Sequence, residues 1–264
     1  ADRLVNDADR AWFHEQVQAM VQKHFRMGFS EVFAMPKADK LPENTEKSKR
    51  AAQEKALASQ ALSSLLFCDF LTDGAPGERP YKEVLDMAQC EKMVNKFLDD
   101  HNSQTPKPMK LVMFNFAIQH ICRVCRIIRQ PLGNALLVGV GGSGRQSLTK
   151  LSTFIGECDL FQIEGTSAYG VEEWHDDLKL VLRKAGEQNR QTVFLLTDTQ
   201  IKYDSFVEDI SCVFNTGEVP NLFAIDELSN IRENVRSAAK TARRNVESEQ
   251  ELYNFFVERG RTNL

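Results

Sequence analysis

A surplus of basic charge is the first thing this chain lacks. Its 264 residues carry 33 Lys and Arg against 37 Asp and Glu, giving a net charge of −4 and a pI near 5.8. Gripping a phosphate backbone draws on clustered cations in excess, so nucleic acid is not an expected partner. No run of eighteen apolar residues occurs, so no helix is apolar enough to cross a bilayer, and no charged start is followed by an apolar stretch near the N-terminus. A membrane is not an expected partner either. Cysteine is scarce: Cys68, Cys90, Cys122, Cys125, Cys158 and Cys212 are too scattered for a disulfide scaffold and suit a reducing compartment. Cys122 and Cys125 in "HICRVC" have metal-like spacing, but no second such pair and no His pair completes a tetrahedral set. Packing on the inner side of a helix is the expectation for both. The chain opens at Ala1 rather than at Met, which suggests a piece of something longer.

What is present is enough sequence for one large domain or two modest ones. "NDADRAWFHEQVQAMVQKHF" signals a helix, with Asp near its start and Phe13, Val17, Met20 and Val21 at helical spacing. "MPKADKLPENTEKSKR" reads as linker, 51–67 as helix, "DGAPGERP" as a break and 81–100 as a further amphipathic helix. The segment "LVMFNFAIQHICRVCRIIRQP" places Phe114, Ile118, Ile121, Cys125 and Ile128 on one helical face. Arg123, Arg126 and Arg129 lie on another, expected to be solvated, and Pro131 is the stop.

From there the rhythm becomes strand, turn, helix. "NALLV", "LFQIE" and "TVFLL" read as short apolar strands, alternating with helices at "RQSLTKLSTFIG", "VEEWHDDLKLVLRKAG" and "DSFVEDISCVFN". That alternation predicts an α/β fold, a parallel sheet covered on both faces. A charged helical tail over 226–259, broken near Glu249, completes it; Arg243 and Arg244 are read there as surface charge. The expected division is a helical and linker part over 1–110 and a P-loop α/β part over 111–264.

"GVGGSGRQS", Gly139 to Ser147, sits between the first strand and its helix. In a P-loop, backbone N–H groups and the helix N-terminus surround phosphates, a Lys reaches the outer phosphates, and a Ser or Thr hydroxyl holds magnesium. Gly139, Gly141, Gly142 and Gly144 permit the close approach, and Val140 and Ser143 fill the spacing between them. Arg145 keeps the charge with a wider planar fork. Gln146 stands where the magnesium hydroxyl belongs, and Ser147 cannot replace it, since one residue along a helix turns a side chain by about 100°. Magnesium, if bound, is then held weakly or through water by Gln146 and Asp198. Two other readings remain open at this level: a dinucleotide fingerprint on Gly139, Gly141 and Gly144 with Glu164 as the ribose acid, and a plain glycine turn.

The third strand bears on catalysis. An apolar strand ending in Asp-Glu supplies one carboxylate to the metal shell and another to polarise water. Here the strand ends in Thr197 and Asp198, then Thr199 and Gln200. Either Thr197 replaces the metal Asp and Asp198 the catalytic Glu, or Asp198 is the metal ligand and Thr199 replaces the Glu. Two duties fall to one acid, and losing a positioned base slows a reaction by roughly 100 to 10,000-fold. A turn cap is the plainer reading of Asp198.

Taken with "YGVEEWHDDLKLVLRKAG" and "VFLLTDTQIKYDSFVEDISCVFNTGEVPNLF", these residues resemble the fourth AAA+ module of an axonemal dynein heavy chain, over essentially the whole sequence. The resemblance implies one module of a six-module motor ring, binding ATP or ADP in a regulatory role and hydrolysing it slowly or not at all. It implies Gly139 to Ser147 as the phosphate loop and Thr197 with Asp198 as an altered Walker B end. It implies as partners the neighbouring AAA+ modules, microtubules through a stalk outside this sequence, and dynein intermediate and light chains, in the axoneme of a cilium or flagellum. The family's sensor-one strand and helical lid have no counterpart here, so the first strand is expected to lack its neighbours. The alternatives are a purely structural ring segment without nucleotide, and an NAD-dependent oxidoreductase domain.

Overall fold

The computed structural model describes residues 4, 6–28, 65–72, 74, 78–164 and 169–264. It divides into two units, Ala1–Phe67 and Cys68–Leu264. The linker expected over 35–50 and most of the helix expected over 51–67 lie outside the described residues. Of that helix only 65–67 are described, and Phe67 opens a strand instead of extending a helix.

In the first unit, α1 (Asp7–Phe25) starts where Asn6 accepts a hydrogen bond from the Ala8 N–H at 2.8 Å, and ends at Arg26 in the left-handed region. Asn at this position satisfies an amide that the helix leaves orphaned, and Arg26 returns its own N–H to the Gln22 carbonyl. His14 and Val21 are buried, whereas Met20 of the expected apolar face is exposed.

A two-stranded ribbon follows, β1 (Phe67–Cys68) and β2 (Lys82–Glu83). The helix expected from 81 begins later, as α2 (Met87–Gln104), because Asp86 caps the amides of Ala88 and Gln89 and fixes the start there. Cys90, Val94 and Leu98 form its buried stripe. Next comes α3 (Asn115–Arg129), which buries Ala117, Ile118, Ile121, Cys122, Val124 and Cys125. Both cysteines of "HICRVC" are therefore on the inner side. Phe114, assigned to that face by spacing, instead precedes the helix and is exposed. The arginine stripe is not a bare solvated face: all three arginines are half-buried, and Arg129 pairs with the buried Asp69.

Helix α4 (Arg145–Ile155) packs against α2, α3 and the sheet. Its C-terminal carbonyls are met by Arg79, which donates to the Ile155 carbonyl at 3.2 Å while pairing with Glu157 at 2.8 Å. A cation there also complements the negative end of the helix dipole. Strands β3 (Asp159–Gln162) and β4 (Thr192–Leu195) pair in parallel, Asp159 opposite Thr192 and Gln162 opposite Leu195. Between them run α5 (Val171–Leu182) and a single π turn, Arg183–Glu187. Helices α6 (Asp204–Asn215), α7 (Ile225–Thr241) and α8 (Glu249–Asn263) follow, and the tail breaks over 242–248, close to the expected place.

"NALLV" is the clearest departure from expectation. Residues 134–140 are in no ladder, and Leu136, Val138 and Val140 stand 90 %, 84 % and 80 % exposed. An apolar run becomes a strand only where a neighbour pairs its backbone, and among the described residues β3 pairs only with β4.

The core of the second unit is aromatic. Trp174 is fully buried and stacks on Phe206, ring centres 4.4 Å apart and 10° from parallel, while its indole N–H donates to Asp209 at 2.8 Å. Phe194 of β4 lies 6.0 Å from the same indole. Helices α7 and α8 close the cluster with Ile231, Val235, Ala239, Leu252 and Phe256. Gly186 in the π turn lets α8 approach: a Cβ there would lie 2.7 Å from the Phe256 ring and carbonyl.

Glu227 fastens α7 to this core. It accepts from the Ala224 N–H at 2.9 Å and pairs with Lys179 of α5, also at 2.9 Å, and these two contacts, the backbone bond first, hold its carboxyl below the usual 4.5. A depressed folded-state value means stability that is fully present above the unfolded value and lost as pH falls through the folded one. Glu227→Gln is therefore expected to lower hydrogen-exchange protection of α7 above pH 4.5, with the difference from the parent shrinking as pH falls below it. A gap that persists unchanged in acid would remove the carboxylate from this role.

Candidate nucleotide site

The glycine loop runs from the extended segment into α4. Gly142 and Gly144 have φ of +77° and +79°, a region L side chains rarely occupy, so the turn depends on glycine at both. A Cβ on Gly141, Gly142 or Gly144 would meet no atom within 4 Å, so the concave side of the loop is open. No side chain caps α4 at Gly144, so the first amides of the helix, those of Arg145, Gln146 and Ser147, point out unsatisfied by the helix itself. Open space, free amides and the positive end of a helix dipole together fit a phosphate group.

Arg145 is folded back across the base of this loop. Its guanidinium donates to the carbonyls of Leu137 and Val140, each at 3.1 Å, and its stem lies 3.6 Å from where a Gly139 Cβ would sit. The cation is thus held at the cradle by the loop's own backbone. Val140 also accepts from the Ser143 N–H at 3.4 Å, which tightens the turn. Gln146 is exposed and Ser147 half-buried, at the second and third positions of α4.

Thr197 and Asp198 lie beyond the end of β4, where a single 3-10 turn covers Asp198–Gln200. Thr197 is committed to that turn: its N–H and hydroxyl both donate to Gln200 Oε1, at 2.8 and 2.9 Å. The Asp198 carboxylate is exposed and has no hydrogen-bond partner among the described residues. Of the two, only Asp198 carries a free acid, and it follows a turn cap instead of being one. Helix α4 packs on β3 and β4, so the helix of the loop lies against the sheet whose second strand leads to Asp198. No hydrogen bond among the described residues joins Asp198 to the loop or to Gln146.

Sequence reasoning missed Gln200. Its amide donates to the Ile163 carbonyl at 2.7 Å, so one side chain both shapes the Thr197 turn and ties the ends of β3 and β4. No periodicity marks a three-residue turn. Glu164, the acid of the dinucleotide alternative, lies two residues past β3 and lines a hollow of about 580 Å³ with Glu173, Asp176 and Asp177. Four carboxylates around one hollow repel anionic phosphates. Tyr169 there donates to Asp177 at 2.6 Å, and its hydroxyl is pushed well above the ordinary phenol range, chiefly by burial and then by that bond.

A glycine loop opening onto an uncapped helix, beside parallel strands within an α/β layer, is the architecture of a P-loop AAA+ module, a class built to bind nucleotide. Residues 109–264 match the family model described as the P-loop containing dynein motor region D4, and the chain belongs to that family. It is 39 % identical over 260 residues to dynein axonemal heavy chain 3 of Mus musculus and 36 % identical over 264 residues to dynein axonemal heavy chain 6 of Homo sapiens. Those alignments cover 98 % and 100 % of this chain and 6 % of each relative. It is also 46 % identical over 185 residues, 70 % of this chain and 4 % of the relative, to the dynein-1-beta heavy chain of the flagellar inner arm I1 complex of Chlamydomonas reinhardtii. The chain thus spans about one-twentieth of the length of the relatives it matches. The description of that family names a P-loop, and the dinucleotide reading has no support from it.

Proposed function

We propose that this chain is a regulatory nucleotide-binding module of a dynein motor in the axoneme of a cilium or flagellum, holding ATP or ADP and hydrolysing it slowly or not at all. The observation that carries the reading is the open glycine cradle with a cation latched beside it, followed two strands later by the free carboxylate of Asp198. Gly139 to Ser147 bind phosphate through their amides, with Arg145 turning from the Leu137 and Val140 carbonyls toward it. A bound nucleotide supplies the phosphoanhydride and, with it, a place for magnesium near Gln146 and Asp198. Asp198 can orient a water or a metal, not both, and Thr197 is occupied by Gln200. Slow turnover follows from that shortage.

In this reading residues 111–264 form the P-loop part of the module and 1–110 its helical and linker part. The neighbouring modules of the same ring are its immediate partners. Microtubules, reached through a stalk, and the intermediate and light chains belong to the assembled motor that drives microtubule-based motility. The exposed apolar segment 134–140 is proposed to pair with strands of the same module contributed by polypeptide outside this sequence, including the sensor-one strand, with the helical lid following.

Fluorescent-nucleotide titration of the intact ring, with every other site disabled, tests the reading. Saturable binding is expected at this module, together with turnover far below that of the ring's main site. No binding up to millimolar nucleotide would leave a purely structural ring segment.

A further inference from the structure

Outside the glycine loop, the most concentrated chemistry in the described residues is a knot of sulfur. The Sγ atoms of Cys68, Cys90 and Cys122 lie within 4.8 Å of one another, and all three residues are buried. They come from three separate elements: the end of β1, the first turn of α2 and the middle of α3. Cys125, the other half of the C-x-x-C spacing, is not one of them; its thiol turns to the Ser152 carbonyl of α4 at 3.8 Å. The pairing suggested by sequence spacing is thus replaced by a convergence of distant residues.

We propose that Cys68, Cys90 and Cys122 bind a thiophilic metal ion of the zinc or copper(I) class. Thiolates are the soft donors that select such ions, and three from separate elements make a preformed half-shell. Three sulfurs at about 2.3 Å from one ion stand about 3.8 Å apart in a tetrahedral arrangement. The cluster, with its sulfurs within 4.8 Å of one another, needs at most a modest contraction to reach that spacing. Binding displaces the thiol protons to solvent, so occupancy rises with pH, and no oxidant or reductant is consumed. Around a divalent ion three thiolates leave one net negative charge, with a fourth position for water. Around a monovalent ion a three-coordinate shell is complete without a fourth donor. Either ion would pin β1 to α2 and α3, the base on which α4 and its loop rest. Small buried cysteines also serve as plain apolar filling, and that is the competing account.

The test uses the full heavy chain that carries this module, depleted of metal, reloaded under reducing conditions with zinc(II) or with copper(I), and washed. Metal content by mass spectrometry is compared among the parent, Cys90→Ser, Cys122→Ser and Cys125→Ser chains. The expected result is loss of about one equivalent per chain in the first two variants and retention in the third, the metal retained identifying the ion. X-ray absorption at the edge of that metal in the parent chain is expected to report a shell of three sulfurs at about 2.3 Å. Equal metal in parent and Cys90→Ser chains, no uptake by the parent, or a shell of oxygen and nitrogen would each overturn the proposal. The parent spectrum decides the matter even where a serine variant does not fold.

Discussion

Trp174→Ala is expected to destabilise the second unit by about 3–5 kcal/mol, the range for removing a large aromatic side chain from a packed core. The indole is fully buried, stacked on Phe206 and set against Phe194, so its loss opens a cavity between α5, α6 and β4. The loss is also polar. Asp209 accepts from the indole N–H at 2.8 Å and from His175 at 3.2 Å, and without the indole its carboxylate keeps only the imidazole. A half-satisfied, half-buried acid adds to the cavity term. Since domains are held by about 5–15 kcal/mol in total, hydrogen exchange should show α5, α6 and β4 losing protection together. Trp174→Phe, which keeps the stack and removes only the N–H, should cost markedly less. Equal protection in the alanine variant and the parent would mean that this stack does not hold the core.

Arg145→Ala is expected to weaken nucleotide binding by about 1–3 kcal/mol, the range for losing a charge-assisted hydrogen bond. That corresponds to roughly five- to 150-fold in dissociation constant. The variant has a second effect that runs the other way. In the parent the guanidinium must leave the Leu137 and Val140 carbonyls to reach phosphate, and alanine removes that competition. The carbonyl partners sit in an exposed segment where water can replace the bonds, so the competing term is the smaller one. Arg145→Lys should bind closer to the parent than alanine does. Titration of the intact ring reads both, and an alanine variant with unchanged affinity would place the arginine outside the phosphate site.

The helices were the most legible part of this chain. Helices α3 to α6 fall within a few residues of where apolar spacing and caps place them, because a helix satisfies its own backbone and its sequence pattern is local. Strands are a different case. "TVFLL" forms β4 because β3 lies beside it, whereas "NALLV", no less apolar, stays unpaired because no described strand is its neighbour. Composition specifies a strand's wish to pair, not the presence of a partner. The glycine turn and the start of its helix were legible, since glycine and a following helix carry that signal within nine residues, Gly139 to Ser147. The position of the Arg145 side chain was not, because it depends on carbonyls exposed by the unpaired segment. Gln200 and the three-cysteine cluster were invisible for a shared reason: each acts by meeting residues far away in the chain, and spacing along a sequence does not record such meetings.

Helix α8 packs along one face against the π turn, with Phe256 and Gly260 against Gly186, Asn263 donating to the Ala185 carbonyl and to Asn189, each at 3.0 Å, and Arg259 to Asn189 at 3.0 Å. Gly186 removes the slack from that joint, since its backbone lies against Phe256 with no side chain to cushion it. The turn leads through 188–191 into β4, and Asp198 lies past the end of that strand. Because Asn189, in the loop leading into β4, is itself held by Arg259 and Asn263, a shift of α8 is passed to the start of that strand.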